Sequence, residues 1–282
     1  MDARAGNSHV RATERLPLKG PVAMAGGRQG IWVADDDSRS VALFDPDSAR
    51  MASQVSLRDT PVTVAATAEF VGVALRAGDV SCFDAESGKE LWQRSASSGD
   101  VQLKASRDRL WAWDRRASAF IAWDRAGTAS RIEAEGVTAF APDGDGIYWL
   151  SRTGIIGYRQ RTRDKTVTME LPEDVTRVGA MAVCAHALWL SVEGALVLVS
   201  QHSLEVRATL RAPEGPVPHL ICFEGRLFGG SYGVFALEPA ADAEVRVLLA
   251  RLQTPLRALA VSGTRLWALE TGGSVVHIVG IP

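Results

Sequence analysis

The chain has 282 residues, 31 of them basic and 33 acidic, so its formal net charge is −2. Hydrophobic residues make up 46% and charged residues 23%, a composition that fits a folded globular protein and excludes a disordered one. The charges are spread along the chain without a basic tract, which argues against nucleic acid as a partner. Apolar runs such as 180–185 are far shorter than a membrane span, so we expect a soluble protein with no membrane partner.

The N-terminus lacks the apolar core of a secretory signal, and we predict that residues 1–8 are disordered. Residues 9–282 are expected to form a single domain. Its first segment, HVRATERLPL at 9–18, is similar to later segments such as EVRVLL at 244–249. We therefore predict a strand within residues 9–18.

A turn followed by a bulky, mostly aliphatic–aromatic pair recurs seven times, at spacings of 37 to 41 residues. The pairs end at Trp32, Val71, Trp111, Tyr148, Trp189, Phe228 and Trp267. Small apolar residues precede each pair, and two further short apolar segments follow most of them. Four short strands in each repeat, joined by Gly, Asp and Ser turns, predict an all-β protein: a seven-bladed β-propeller with four antiparallel strands per blade. The recurring tryptophans are expected to pack between blades.

The last repeat supplies only three strands, at about 255–261, 265–270 and 274–280, before the sequence ends. The N-terminal strand within residues 9–18 is therefore predicted to complete this blade. A blade built from both ends of the chain also pairs a strand edge that would otherwise be open.

The turns between the third and fourth strands resemble those of known propellers. The segment FDAESGKELW at 83–92 resembles the repeat of the PQQ-like propellers, in which an Asp–x–x–Ser–Gly turn joins these strands. Asp45 with Ser48, and Asp124 with Gly127, show weaker forms of the pattern. The rest of the chain resembles the YVTN and NHL types of seven-bladed propeller. These resemblances imply the fold and no particular activity.

One segment, PHLICFEG at 218–225, resembles a blade of the streptogramin (virginiamycin B) lyases, propellers with histidine in a metal-assisted elimination site. The resemblance implies a catalytic role for His219 alone, because the equivalent positions in blades five and seven are Ala180 and Ala258. It supplies the alternative function: a channel-mouth enzyme of lyase or cyclase type with His219 as acid or base.

Propellers usually bind ligands at one end of the axial channel, on the loops that join strand four to strand one and strand two to strand three. We call this end the top face. Six candidate ligand-binding residues fall there: Arg76, Arg152, Arg177, Tyr232, Arg257 and Glu270. His219 lies near the start of a first strand, and Lys104 lies deeper in blade three. Arginines gathered at a channel mouth can hold a carboxylate or phosphate by paired hydrogen bonds, although charged loop residues are also common where loops are simply solvated.

The favoured function is a binding propeller without catalysis, which presents its top face and channel mouth to a small anionic molecule, a protein or a peptide. No P-loop, GxSxG elbow, HExxH motif or dinucleotide fingerprint is present. We expect a monomer without a cofactor and assign no metal ligand. A divalent cation stays open as an alternative, because Asp35, Asp36 and Asp37 form an acidic run.

The three cysteines are odd in number and lack CxxC spacing, which argues against a disulfide framework and a zinc site. Cys184 and Cys222 are one position out of phase in the repeat, so we expect them to face opposite sides of their sheets. With Cys82, they are predicted to be three free thiols in the cytoplasm.

Overall fold

The computed structural model describes residues 10–96, 101–162, 166–171, 178–193, 195–201, 203–212, 217–237 and 246–281. In this part of the chain, 28 strands form seven four-stranded sheets whose neighbouring strands are antiparallel. The predicted disorder of residues 1–8 lies outside the described residues. No helix within the described ranges is long and apolar enough to cross a membrane.

The chain begins with β1 (Val10–Arg15), which belongs to the last blade. Blades 1 to 3 follow in chain order, each with its first strand at the channel. Blade 1 contains β2 (Pro21–Gly26), β3 (Ile31–Asp35), β4 (Ser40–Phe44) and β5 (Met51–Ser56). Blade 2 contains β6 (Pro61–Ala66), β7 (Phe70–Leu75), β8 (Asp79–Asp84) and β9 (Glu90–Ser95). Blade 3 contains β10 (Val101–Ser106), β11 (Arg109–Asp114), β12 (Ala119–Trp123) and β13 (Ala129–Glu133).

Blades 4 to 7 repeat this arrangement. Blade 4 contains β14 (Val137–Asp143), β15 (Gly146–Ser151), β16 (Ile155–Gln160) and β17 (Thr166–Glu170). Blade 5 contains β18 (Val178–Cys184), β19 (Ala187–Val192), β20 (Ala195–Ser200) and β21 (Val206–Arg211). Blade 6 contains β22 (His219–Phe223), β23 (Arg226–Gly230), β24 (Gly233–Leu237) and β25 (Arg246–Arg251). Blade 7 contains β26 (Leu256–Ser262), β27 (Arg265–Glu270), β28 (Val275–Gly280) and β1.

The core lies between the blades. All five residues of β3 and all five of β4 are buried, whereas the outer strand β5 is almost entirely exposed. Strands two and three therefore carry continuous apolar runs, because both faces of each sheet pack against a neighbouring blade. Trp32 packs against residues of blade 2, and Trp267 packs against residues of blade 1. The predicted placement of these tryptophans between blades is confirmed.

The ring closes as the sequence predicts, with β1 pairing antiparallel to β28 from Val10↔Val279 to Arg15↔Val275. Leu16 and Leu18 lie beyond the end of β1, and both are buried, at 2% and 8% exposure. They join a core cluster shared by blades 7 and 1. The clasp therefore contributes apolar packing as well as backbone hydrogen bonds.

Blade 2 departs from the predicted register by one residue. Ala25 pairs with Trp32 in blade 1, and the equivalent pair in blade 2 is Ala65 with Gly72. Gly72, and not Val71, therefore occupies the aromatic position of this repeat. A Cβ atom at Gly72 would clash with the side chain of Leu110 from blade 3, which already fills the space. A glycine fits here because the Leu110 side chain of the neighbouring blade supplies the bulk.

The expectation of three free thiols is wrong, because Cys184 and Cys222 form a disulfide with their Cα atoms 5.3 Å apart. The phase difference between them is real, but its consequence is the reverse of the one predicted. Cys184 lies on the face of blade 5 that packs against Leu220 of blade 6. Cys222 follows Leu220 by two residues, so it lies on the facing side of blade 6. Opposite faces of successive blades are the two faces that meet. Cys82 is a free, buried thiol, and burial raises its pKa to about 12.

The Asp–x–x–Ser–Gly turn forms as its sequence indicates. The Asp84 carboxylate accepts hydrogen bonds from the Ser87 backbone N–H at 2.9 Å and the Ser87 hydroxyl at 2.8 Å. Gly88 takes the left-handed conformation with φ of 68°. The Ser87 hydrogen bonds and an ion pair with Arg125 lower the pKa of Asp84 to about 2. These turns lie at the end of the channel opposite the top face, which we call the bottom face.

Candidate functional site

The seven inner strands surround an axial channel that widens into two cavities. The top cavity has a volume of about 470 Å³, and the bottom cavity has a volume of about 350 Å³. Met24 and Met181 line both cavities, together with Val64, Ile221 and three leucines. Lys104 is the one charged residue among the described residues that lines both.

A ring of β-bulges shapes the top cavity. In five blades the pairing of the first two strands shifts by one residue at the second position of the inner strand. A bulge redirects the side chain of its extra residue, and all five bulged residues line the top cavity. They are Val22, Val62, Thr138, Gly179 and Arg257. The sequence alone gave no sign of these bulges.

His219 is the first residue of β22 and lines the top cavity, as the sequence predicts. Burial lowers the pKa of His219 below the usual 6.5, and the positive charge of Lys104 lowers it further. A hydrogen bond with the Leu256 backbone raises the pKa, but by less. Its imidazole is therefore mostly neutral at pH 7. Within the described ranges no carboxylate contacts His219 to orient it as an acid or base. Its catalytic role stays a prediction.

Lys104 extends from β10 across the channel towards the next two blades. Its Nζ atom donates hydrogen bonds to the backbone oxygen of Phe140 at 2.6 Å and to that of Met181 at 3.1 Å. The ammonium also lies 5.2 Å from the centre of the Phe140 ring, within the range of a cation–π contact. Burial lowers its pKa to about 8. No carboxylate of the described part forms an ion pair with it.

Lys104 is the exception in a repeated position. It lies in the inner strand opposite Trp111, the repeated aromatic position of strand two. In every other blade, the inner-strand residue opposite that position is small or apolar. These residues are Ala25, Ala65, Ala141, Ala182, Ile221 and Ala260. One long charged side chain has replaced a small one where seven inner strands crowd together.

Three of the four predicted arginines are among the described residues, and these three lie at the top face. Arg76 and Arg152 directly follow β7 and β15 and are exposed, and Arg257 is the exposed bulge residue of β26. Tyr232 lies between β23 and β24 with 54% of its surface exposed. Val62 lies at the same end and is 42% exposed. Arg177 lies outside the described residues.

Glu270 is only 7% exposed. It occupies the last position of strand two, where blades 1 and 3 carry the buried residues Asp35 and Asp114. Its carboxylate accepts the Gln253 backbone N–H at 2.8 Å and lies 3.1 Å from His277 Nε2. These contacts are structural, and its role in ligand binding stays a prediction.

The Glu270 contacts belong to a hydrogen-bonded chain across the closing blade, since His277 Nδ1 lies 3.1 Å from the Thr13 hydroxyl of β1. Burial raises the pKa of Glu270, but hydrogen bonds from Gln253 and His277 outweigh it and hold the pKa below 4.5. A depressed carboxyl pKa stabilises the fold above the unfolded value of the pKa, and this stabilisation is lost as pH falls through the folded value.

Replacing Glu270 with Gln is therefore expected to reduce stability at pH 7 by about 1–3 kcal/mol, because a charged hydrogen-bond acceptor is removed. Urea unfolding should show a larger loss at pH 7 than at pH 3, because the stabilisation fades as the carboxylate takes up a proton. Glu133→Gln, on an exposed position of β13, is the matched control and should leave both values unchanged. Equal losses at the two pH values would contradict this assignment.

The three aspartates of the acidic run in blade 1 differ in their exposure to solvent. Asp35 is 1% exposed, and its carboxylate accepts hydrogen bonds from Gly20 N at 2.9 Å and the Ser38 hydroxyl at 2.7 Å. Asp36 is partly buried and Asp37 is exposed. Throughout the described ranges, no group of three or more His, Cys, Asp or Glu side chains is placed to hold a metal ion.

No protein family and no curated protein sequence matches the chain. Among solved structures, it is similar to a chain in the crystal structure of the mitotic checkpoint complex, with a TM-score of 0.79 and 16% identity over 100% of this chain and 98% of that one. It is also similar to the structure of U3-55K, with a TM-score of 0.76 and 11% identity over 95% of this chain and 98% of that one. At these identities the likeness shows the fold alone: a seven-bladed β-propeller.

Proposed function

We propose that this propeller is a non-catalytic binding protein whose top face takes an acidic segment of a protein or peptide partner. The observation that carries the proposal is the exposure of Tyr232, which at 54% is the most exposed large hydrophobic side chain of the described residues. It shares the top face with three exposed arginines, Arg76, Arg152 and Arg257. Tyrosine and arginine are enriched in protein interfaces and at their energetic centres.

The charge at the channel mouth supports an acidic partner. Arg257 lines the top cavity at its mouth, and no acidic residue of the described part lines that cavity. A carboxylate placed at this mouth meets the positive charge of Arg257, with Arg76 and Arg152 exposed on the same face. The similar chain from the mitotic checkpoint complex belongs to a protein assembly, as its name states, which favours a protein partner for this fold as well.

The other hypotheses from the sequence have less support. No described contact of His219 favours a lyase or cyclase. An evolutionary relationship to the YVTN, PQQ-like or streptogramin lyase propellers stays a hypothesis. A monomer without nucleic-acid partners is kept as part of the proposal. The disulfide between Cys184 and Cys222 favours an oxidising compartment over the cytoplasm.

The proposal is tested with fluorescein-labelled 12-residue peptides that are acidic, neutral or basic and each contain one aromatic residue. Fluorescence anisotropy should detect binding of the acidic peptide, weakened by added salt because the arginines are exposed. Tyr232→Ala and Arg257→Ala are each expected to weaken this binding at least fivefold.

Arg28→Ala is the matched control, because Arg28 is exposed in the turn between β2 and β3 at the bottom face. It should leave the affinity unchanged. Equal binding of acidic and basic peptides, or an equal loss in the Arg28 variant, would rule out the top face as the site.

A further inference from the structure

Among the described residues, the bottom cavity is lined by apolar side chains and by one polar side chain. Its described lining consists of Ala, Val, Leu, Ile, Met, Phe, Pro, Gly and Cys residues, and Lys104 is the single exception. Pockets of this kind, apolar with a few well-placed polar groups, are typical of sites for small molecules, and a volume of about 350 Å³ lies within their usual range.

We propose that the axial channel binds a small monocarboxylic acid, with its carboxylate on the Lys104 ammonium and its apolar tail in the bottom cavity. This site is separate from the partner surface proposed above and does not depend on it. Three features support this site: the hydrogen-bonding capacity of Lys104, the absence of a counter-ion for it among the described residues, and the polarity of the two cavities.

One N–H donor of the Lys104 ammonium has no partner among the residues that the structure describes. A lysine ammonium carries three N–H groups, and two of them are used by the backbone oxygens of Phe140 and Met181. Those two bonds fix the Nζ atom near the channel, where it lines both cavities. The third N–H is available to a ligand, and the ammonium is already held in position to receive it.

Within the described part of the chain, no carboxylate acts as a counter-ion to the ammonium. Carbonyl oxygens carry only partial charges, so Lys104 keeps a net positive charge in a mostly apolar setting, which is unfavourable until an anion arrives. With a pKa of about 8, the amine is largely protonated at pH 7. A carboxylate would complete its hydrogen bonds and neutralise its charge in a single contact.

The two cavities fix the orientation of the ligand. The top cavity is polar at its rim, where Gln102, Thr138 and Arg257 contribute side chains. Apart from Lys104, the side chains that line the bottom cavity are all apolar, including the flexible side chains of Met24 and Met181. An apolar tail is therefore favoured towards the bottom face, and a second carboxylate there would be buried without a partner.

The test uses octanoate as the probe and isothermal titration calorimetry as the readout. Octanoate is expected to bind at least tenfold more tightly than octan-1-ol or octylamine, because only the carboxylate pairs with the ammonium. In the series acetate, butyrate, hexanoate and octanoate, each added methylene should tighten binding up to about fourfold as the tail fills the cavity.

The role of the ammonium is tested by mutation and by pH. Lys104→Met keeps the length of the side chain and should weaken octanoate binding at least tenfold, whereas Lys89→Met, on an exposed turn, should not change it. For the unmodified protein, affinity should fall more than tenfold between pH 7 and pH 10 as Lys104 loses its proton.

Three outcomes would each overturn the site: no octanoate binding at millimolar concentration, equal binding of octan-1-ol, or unchanged affinity in a folded Lys104→Met protein. The pH and chain-length series need no variant, so the test holds even where Lys104→Met does not fold. Lys104→Met should still bind the acidic peptide, because the peptide contacts the exposed rim of the top face. This measurement distinguishes failure of the channel site from failure of the proposed function.

Discussion

Deletion of residues 1–18 is expected to give insoluble protein or a melting temperature at least about 10 °C lower. The deletion removes the ladder between β1 and β28 and takes Leu16 and Leu18 out of the core cluster of blades 7 and 1. Truncating one buried leucine typically costs about 2–5 kcal/mol, so the combined loss approaches the whole stability of an ordinary domain, about 5–15 kcal/mol. Differential scanning calorimetry measures the change.

Two variants separate the contributions to this closure. Deletion of residues 1–8 leaves β1 in place and should change the melting temperature by no more than about 2 °C. Leu16→Ala with Leu18→Ala keeps the β1 ladder and should cause an intermediate loss, because only the apolar packing is removed. A shortened chain without residues 1–18 that melts like the full chain would show that the clasp is dispensable.

Trp267→Ala is expected to lower the free energy of unfolding by about 3–5 kcal/mol, the usual cost of removing a large buried aromatic side chain. Trp267 is 0% exposed, and its ring centre lies 6.0 Å from that of Phe44 in blade 1. Its indole N–H donates to the Pro46 backbone oxygen at 3.0 Å. The mutation therefore opens a cavity between the closing blade and the first one. Guanidinium unfolding followed by circular dichroism gives the value.

Trp267→Phe is the companion variant, since it keeps most of the ring volume and loses the N–H. Its cost should be about 1–2 kcal/mol, which isolates the hydrogen bond to Pro46 and the smaller ring. A loss below about 1 kcal/mol in Trp267→Ala would contradict the packing of this residue between blades.

The repeat length of the blades could be predicted from the sequence, because equivalent positions of most blades carry the same kinds of residue and pack in the same way. The exception is blade 2, where the aromatic position is held by Gly72. A single repeat cannot reveal that its missing bulk is supplied by Leu110, since this side chain comes from the next blade. Register errors of one residue are therefore expected wherever a neighbouring blade fills the space.

The cysteines show why phase alone does not predict contacts. The sequence placed Cys184 and Cys222 on opposite faces of their sheets, and that placement is consistent with the packing seen. The wrong step was to treat opposite faces as distant ones. In a ring of blades, the face of one sheet that looks towards the next blade packs against the opposite face of that blade. A disulfide between successive blades therefore requires cysteines on opposite faces of their sheets.

The top face was predicted from the repeat, and His219 and Arg257 do line its cavity. What the sequence could not supply was the direction of the side chains. The β-bulge at Arg257 changes the direction of this side chain. The buried carboxylate of Glu270 accepts a hydrogen bond from the Gln253 backbone. Lys104 had a visible signal, a lone charge in an inner strand of mostly small apolar residues, but its reach across the channel depends on the positions of Phe140 and Met181.

The pairing of β1 with β28 determines how the ring responds to mechanical force. Val10, near one end of the chain, lies opposite Val279, near the other, so both termini leave the same end of one antiparallel ladder. A pulling force on the two termini therefore loads one hydrogen bond at a time, in an unzipping geometry. The ring should open at low force along this seam, after which the blades unravel from the two ends of the chain. The Cys184–Cys222 bridge then keeps 37 intervening residues out of reach of the applied force, since the two cysteines are 38 positions apart.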